Sequence, residues 1–461
     1  MKHVYVLAVA ALSAYAADLP TPIAIRDARV VTVSGAEIPK GAVLLRGGLI
    51  QDVGPNVSIP AGAWVIDGTG LTVYPGFIDA LSTWGIPGAA EPAGGGRPAG
   101  APGPAPVTPS PQTPPAQAQA PRSHGPEDRP QTYSFERAAD LVSPTDRRLE
   151  AARAAGFTTA ATFPNRGIFE GLGAMVNLAG ERSRDMVIAE PIGQQIVFRT
   201  GGFFSGFPNS LMGNIAYVRQ LYLDLDHYKQ AHQIYDAHVS GTRRPEYDHD
   251  LEGLARSPRV LLPAMEAQQI DRILSFGPEL KTPFIVYGLH EAYRRIDELK
   301  RANVPVLVSL KWPEKPKDQD PADVPNYREL EMWDRAPGVP GLLAKAQVKF
   351  GFYSDRVDTA PDLKKALKKA VDGGLSRADA IRALTLSVAE MYGLSDRLGS
   401  IDKGKIANLV VMKGDAFDDK TTVEYVFIDG VQFKPSKETQ KGPEKKEGAT
   451  TGPQKPERGI N

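Results

Sequence analysis

Phe284-Ile285-Val286-Tyr287, a helical stretch over 291–302, and then Val304-Pro305-Val306-Leu307-Val308 form a strand–helix–strand unit. Two apolar β-type runs joined through a helix lie side by side in parallel, because the crossover must pack back onto the sheet. The unit repeats in both directions. Upstream, a helical segment over 145–155 leads into Phe157-Thr158-Thr159-Ala160-Ala161-Thr162, and Val260-Leu261-Leu262-Pro263-Ala264 reads as another strand. Downstream, Val348-Lys349-Phe350-Gly351-Phe352-Tyr353 precedes a further helical region. Ser376 to Asp379 reads as a capping box, and Gly393 is placed to end that helical region. Over about 320 residues of such alternation the expected class is α/β, and its natural form is a (β/α)8 TIM-like barrel, here over 75–395.

Both flanks have a different texture. Between 22 and 74, short β-type runs such as Ala28-Arg29-Val30-Val31-Thr32-Val33 and Ala42-Val43-Leu44-Leu45 alternate with Gly35, Gly41, Gly47-Gly48, Gly62 and Gly68. Such spacing predicts a small antiparallel sheet. The same texture returns in Ala407 to Met412 and Val423 to Ile428, with a turn at Asp429-Gly430. Neither piece can build a strong core alone. The economical expectation is one β-sandwich assembled from 17–74 and 396–433.

Three segments stand outside this plan. Lys2 and His3 precede the apolar run Val4 to Leu12, and Ala14-Tyr15-Ala16 follows as an A-x-A site. Residues 1–16 therefore read as a secretory signal peptide, so the expectation is an exported protein, periplasmic or extracellular. The run is well short of the roughly 20 apolar residues that span a bilayer, and no later run reaches that length. Residues 86–132 hold 13 of the 40 prolines, mixed with Gly, Ala and Gln, and read as a disordered insert. Residues 434–461 are rich in Lys, Glu, Pro and Gly and read as a solvated tail.

The chain has 461 residues, 42% of them hydrophobic, with 54 basic and 54 acidic side chains. That zero net charge argues against nucleic-acid or membrane-surface partners, which need a basic field. Cysteine is absent, so disulfides, thiolate metal sites and thiol nucleophiles are excluded. Any metal must be held by the seven histidines and by carboxylates. His227 and His232 diverge by about 140° around a helix, and His227 and His238 stand about 16 Å apart along one. No pair of them on one helix shares an ion. Gly171 and Gly173 form an isolated G-x-G, which reads as turn or close packing.

Three motifs resemble the amidohydrolase superfamily, in its exported, imidazolonepropionase-like branch. They are Val73-Tyr74-Pro75-Gly76-Phe77-Ile78-Asp79, then Gly288-Leu289-His290-Glu291-Ala292-Tyr293, and the run from Ala383 through Gly393-Leu394 and Leu398-Gly399-Ser400-Ile401-Asp402-Lys403-Gly404 to Val411. The resemblance implies metal-assisted hydrolysis of amide or other C–N bonds, with one or two divalent ions (zinc above all) activating water at the C-terminal mouth of the barrel. In the family the first strand continues from its Asp as x-His-x-His, and strand alternation aims both imidazoles into the mouth. Here Leu81 and Thr83 take those places. Leu has no lone pair, and a neutral Thr hydroxyl is a poor zinc ligand. Pro263 takes the place of a later histidine, and Ala174-Met175-Val176-Asn177-Leu178 carries no Lys or Glu to bridge ions.

What the resemblance leaves is Asp355, matching the last-strand carboxylate that ligates metal and shuttles protons, and His290 near a strand end. Glu266 and Asp79 are candidate binding residues. With three ligand positions lost, the expectation is a metal-free homologue that binds a small amide-like ligand. It would also assemble with itself or with a metal-complete relative as a partner subunit. The alternative is an active zinc-dependent C–N hydrolase with a rearranged site built on Asp355, His290 and Glu266.

Overall fold

Five short strands open the fold: β1 (Ile23–Val30), β2 (Ile38–Arg46), β3 (Leu49–Gly54), β4 (Trp64–Asp67) and β5 (Thr72–Pro75). The computed structural model describes residues 21–89, 128–198, 207–316 and 324–441. The signal-peptide expectation over 1–16 lies outside the described residues. A second series follows: β6 (Phe77–Ser82), β7 (Phe157–Thr162), β8 (Phe169–Leu172), β9 (Ala174–Asn177), β10 (Val187–Ala189), β11 (Gln194–Ile196), β12 (Val260–Ala264), β13 (Phe284–Gly288), β14 (Val306–Ser309) and β15 (Phe350–Tyr353). β16 (Leu409–Lys413), β17 (Thr422–Ile428) and β18 (Val431–Phe433) then return to the opening strands.

The flanks join in one eight-stranded sheet of order β18-β17-β16-β5-β1-β2-β3, with β4 on β1. Strands from both chain ends share this sheet, and its pairing departs from the purely antiparallel one expected. The sheet is continuous, because β5 pairs with both β1 and β16. It is also mixed, since β4 and β5 run parallel to β1. Its strands share one apolar core containing Ile25, Val43, Leu45, Leu409, Val411 and Phe427. The sheet can enclose that core because its far parts meet: Ile50 N donates to Lys405 O at 2.8 Å and Ala407 N to Gly48 O at 2.8 Å.

The middle of the chain forms a mixed α/β unit of two sheets, β10-β9-β7-β6 and β15-β14-β13-β12-β11-β8. β11 to β15 are parallel in sequence order, as the strand–helix–strand reading requires. The third position around the interior departs from that reading. β8 and β9 form one path, kinked at Gly173, that runs antiparallel to β11 on one side and β7 on the other. A Cβ at Gly173 would sit 2.3 Å from the Phe163 ring, so only glycine permits this packing. No ladder joins β6 to β15 among the described residues. The Asp79 carboxylate spans the gap, accepting from Ser354 N at 3.0 Å. Ile78, Ala80, Leu261, Ile285, Leu307 and Tyr353 fill the interior between the sheets. Burying each of the Ile and Leu side chains contributes roughly 1.5–3 kcal/mol before ordering costs.

Several boundaries move. The helix expected over 291–302 is a short 3-10 turn at Ala292–Arg294 followed by a helix at Ile296–Ala302, because Arg295 leaves helical geometry at φ −136°. The two ends of the 86–132 segment belong to the fold: Ile86, Ala89 and Thr132 are buried, and Arg129 pairs with Asp224 and Asp248. Residues 90–127 lie outside the described residues. Part of the expected tail is also ordered. The helix Lys437–Lys441 packs back, with Gln440 bonded to both Val423 N and Val423 O at 3.0 Å. Residues 442–461 lie outside the described residues. No helix among the described residues is long and apolar enough to cross a membrane.

Asn408 fastens the outer sheet to the strands of the middle unit. Its Nδ2 donates to Thr159 Oγ1 (2.9 Å) and Asn177 Oδ1 (2.7 Å), its Oδ1 accepts from Asp429 N (2.8 Å), and its carbonyl accepts from Gly76 N (2.8 Å). Asn408→Leu removes three hydrogen bonds, two of them to buried side chains, and is expected to cost about 2 kcal/mol, read as a lower urea midpoint. An unchanged midpoint would show that these bonds add nothing.

Candidate functional site at the strand ends

The C-terminal ends of β6, β13, β14 and β15 and the N-terminal end of reversed β8 surround a cavity of about 270 Å³. β15 ends at Tyr353, and the chain leaves it through Asp355 (φ +48°) and Arg356 (φ +66°). Two consecutive left-handed residues other than glycine cost on the order of 1–2 kcal/mol each. Strain of that kind is kept where it aims side chains. Asp355 Oδ2 accepts from Ser309 Oγ at 2.6 Å and from Tyr353 OH at 3.4 Å. Burial, reinforced by the Asp355 charge, pushes the Tyr353 phenol far above its ordinary range, so it stays a proton donor.

His290 lies two residues beyond β13, after Gly288 (φ +112°) and Leu289 (φ +67°). Burial lowers its pKa, opposed by the Asp355 charge and a hydrogen bond to the Lys311 backbone. The imidazole is therefore neutral, and its Nε2 is buried without a hydrogen-bond partner. His290 thus lies within electrostatic reach of Asp355, which lines the cavity.

The other two candidates are elsewhere. Glu266 does not line the cavity. It sits at the start of the helix Ala267–Phe276 and pairs with Arg328 at 2.9 Å. Arg328 also grips Glu291 through Nε–Oε1 at 2.7 Å, holding that carboxyl below its usual range. Glu266 is thus part of a clasp on the helix Tyr327–Arg335. Asp79 is fully buried beneath the mouth, with Oδ1 accepting from Leu81 N (3.2 Å) and Ser354 N (3.0 Å) and Oδ2 unpartnered. Burial pushes its carboxyl up to about 7.

Leu81 and Thr83 both line the cavity, and so does Ser82, because a register shift in β6 between Asp79 and Ser82 breaks strict alternation. The Thr83 hydroxyl is already engaged: Arg148 Nη1 donates to its Oγ1 at 2.9 Å, and Nη2 donates to the Thr83 and Ile86 carbonyls at 2.8 and 2.9 Å. Glu170 also lines the cavity. Reading that strand from Ala174 missed it; Phe169 and Glu170 lie beyond the Gly171–Gly173 kink, and reversal carries them to the mouth. Lys311, two residues past β14, and Arg356 are further cavity residues that the motif reading passed over.

A catalytic zinc takes about three protein ligands. Among the described residues, three His or carboxylate ligand atoms converge within 4.8 Å only at Asp248, His249 and Asp250, none of which lines this cavity. Asp248 is committed there to capping the helix His249–Arg256 and to Arg129 at 2.9 Å. Among the described residues, no such three-ligand group lines the mouth.

The fold, with its C-terminal strands returned to the opening sheet, is similar to that of amidohydrolase-superfamily proteins. Residues 333–433 match the amidohydrolase family model. An amidohydrolase from Thermotoga maritima MSB8 superposes with a TM-score of 0.69 at 25% identity, covering 89% of this chain and 100% of that one. A Xaa-Pro dipeptidase with methionine bound in its active site superposes with a TM-score of 0.52 at 16% identity, covering 90% of this chain and 100% of the other, which speaks for the fold alone. No protein of curated function matches the chain.

Proposed function

We propose that this chain is a metal-free homologue of the C–N-bond hydrolases, using the mouth cavity to bind a small amide-like ligand. The two middle sheets are taken as the wall of a (β/α)8 barrel of the imidazolonepropionase-like type. The observation that supports the reading is the chemistry of two side chains at the mouth: Leu81 offers no lone pair and the Thr83 hydroxyl is held by Arg148. Export through residues 1–16 and assembly with a metal-complete relative belong to the same proposal.

One observation favours a second reading, an active hydrolase with a rearranged site: the unpartnered Nε2 of neutral His290 near Asp355. Elemental analysis of protein purified without chelator separates the two. The metal-free reading expects substoichiometric metal, no change in melting temperature on adding EDTA, and no hydrolysis of simple amides with or without zinc. An ion present at 100 times its dissociation constant stabilises by about 2.7 kcal/mol, so its removal is easily read. Stoichiometric zinc, iron or manganese overturns the proposal.

A further inference from the structure

We propose that the helix Tyr327–Arg335 is a charge-latched flap, fastened by Arg328 to two loops at the mouth and released while the rest of the fold stays intact. The inference goes beyond the binding role proposed above and does not depend on whether a metal is bound. No residue of the helix is buried; Glu331, Met332 and Trp333 are half-buried and the others are exposed. Apolar packing therefore does little to hold it. Charge does more. Arg328 Nε donates to Glu291 Oε1 at 2.7 Å, and its Nη2 donates to Glu291 Oε2 and to Glu266 Oε2, both at 2.9 Å. Farther along, Glu331 pairs with Arg294, and the Arg335 guanidinium lies 5.7 Å from the centre of the Tyr293 ring.

The anchors stand beside the mouth. Glu266 follows Met265, which lines the cavity, and Glu291 follows His290. Glu291 N donates to Met265 O at 3.0 Å, and its Oε2 also accepts from Ala267 N at 3.0 Å, so the loops after β12 and β13 are tied to each other and, through Arg328, to the helix. The helix supplies no wall of the cavity, and its release acts through the loops it holds. The latch is asymmetric. The Glu291 side chain is 2% exposed, whereas Arg328 and Glu266 are 50% and 47% exposed. A buried anion is thus closed by a cation that water and salt can reach. Without that cation Glu291 becomes an uncompensated buried charge, which water relieves once the helix lifts. A helix of nine residues is too short to persist alone in water, so its amides lose protection when the latch opens.

The test is hydrogen exchange of the full chain, read by mass spectrometry. In the parent, the helix amides are expected to exchange about tenfold or more faster than those of β12 to β14, and faster still as salt is raised from about 0.05 to about 0.5 M. Arg328→Met should speed the helix about tenfold further and leave β12 to β14 unchanged. Glu266→Gln opens only the exposed arm and should speed it about threefold, which keeps the test decisive should Arg328→Met fail to fold. Arg219→Met breaks an exposed pair with Glu279 on other elements and should change nothing in the helix. Adding Glu291→Gln to Arg328→Met removes the stranded charge and should restore part of the protection. Helix exchange in step with β12 to β14 at every salt concentration overturns the proposal. So does an unchanged helix rate in the Arg328 and Glu266 variants, or equal acceleration by Arg219→Met.

Discussion

Asp79→Asn is expected to gain stability over the parent as the pH rises from about 4 to about 7, and to keep that gain above it. The cause is the buried carboxyl with one unpartnered oxygen. In the unfolded chain Asp79 titrates near 3.8, in the folded chain near 7. Between those values the native state holds a proton that the unfolded state has released, so the parent loses stability as pH rises through the window. At 1.36 kcal/mol per unit the full loss is about 4 kcal/mol. Asparagine keeps the acceptor for Ser354 N and Leu81 N but adds an amide N–H pair with no partner, a constant cost of about 1–3 kcal/mol. The variant should therefore be the weaker protein at pH 4 and the stronger one at pH 8 in urea denaturation. Parallel pH profiles for parent and variant would mean that Asp79 is ionised in both states.

Arg148→Ala should cost about 3–5 kcal/mol. Arg148 and Asp146 are nearly buried, with side-chain exposures of 13% and 5%. The guanidinium donates to Asp146 (2.7 Å), the Thr83 hydroxyl, and two loop carbonyls. Truncation leaves a buried carboxylate without its cation and loosens the chain just after β6. Arg148→Lys keeps a charge but loses the planar fork, so it should recover only part of the loss. Unfolding curves of the two variants decide this: full recovery by lysine would reduce the role of Arg148 to simple charge pairing.

The parallel part of the fold was legible because its signals are local. β12 to β15 are apolar runs divided by helical stretches, and Ser376 and Gly393 mark helix ends by their chemistry, Ser376 accepting from Asp379 N and Gly393 closing in a left-handed turn. The third wall segment was not legible, because nothing in Phe169 to Asn177 states direction; reversal is decided by the short connection from β7 and the tight approach of Gly173 to Phe163. The site divided the same way. Asp355 and His290 follow their strands by fixed spacing, which sets His290 within electrostatic reach of Asp355. Glu266 shares the residue type but is captured by Arg328, a partner 62 positions away that no local pattern reveals. Arg148, on the helix Arg148–Ala154, reaches the Thr83 hydroxyl from a similar distance.

The placement of β5 between β1 and β16 has a consequence for biosynthesis. The first strands to leave the ribosome lack a neighbour that is translated more than 300 residues later. Until β16 emerges, the edge of β5 stays open and the opening sheet lacks much of its core. The polypeptide must therefore be held in a loose, unaggregated condition through most of its synthesis, and completion comes as a late clasp that seals first and last strands together.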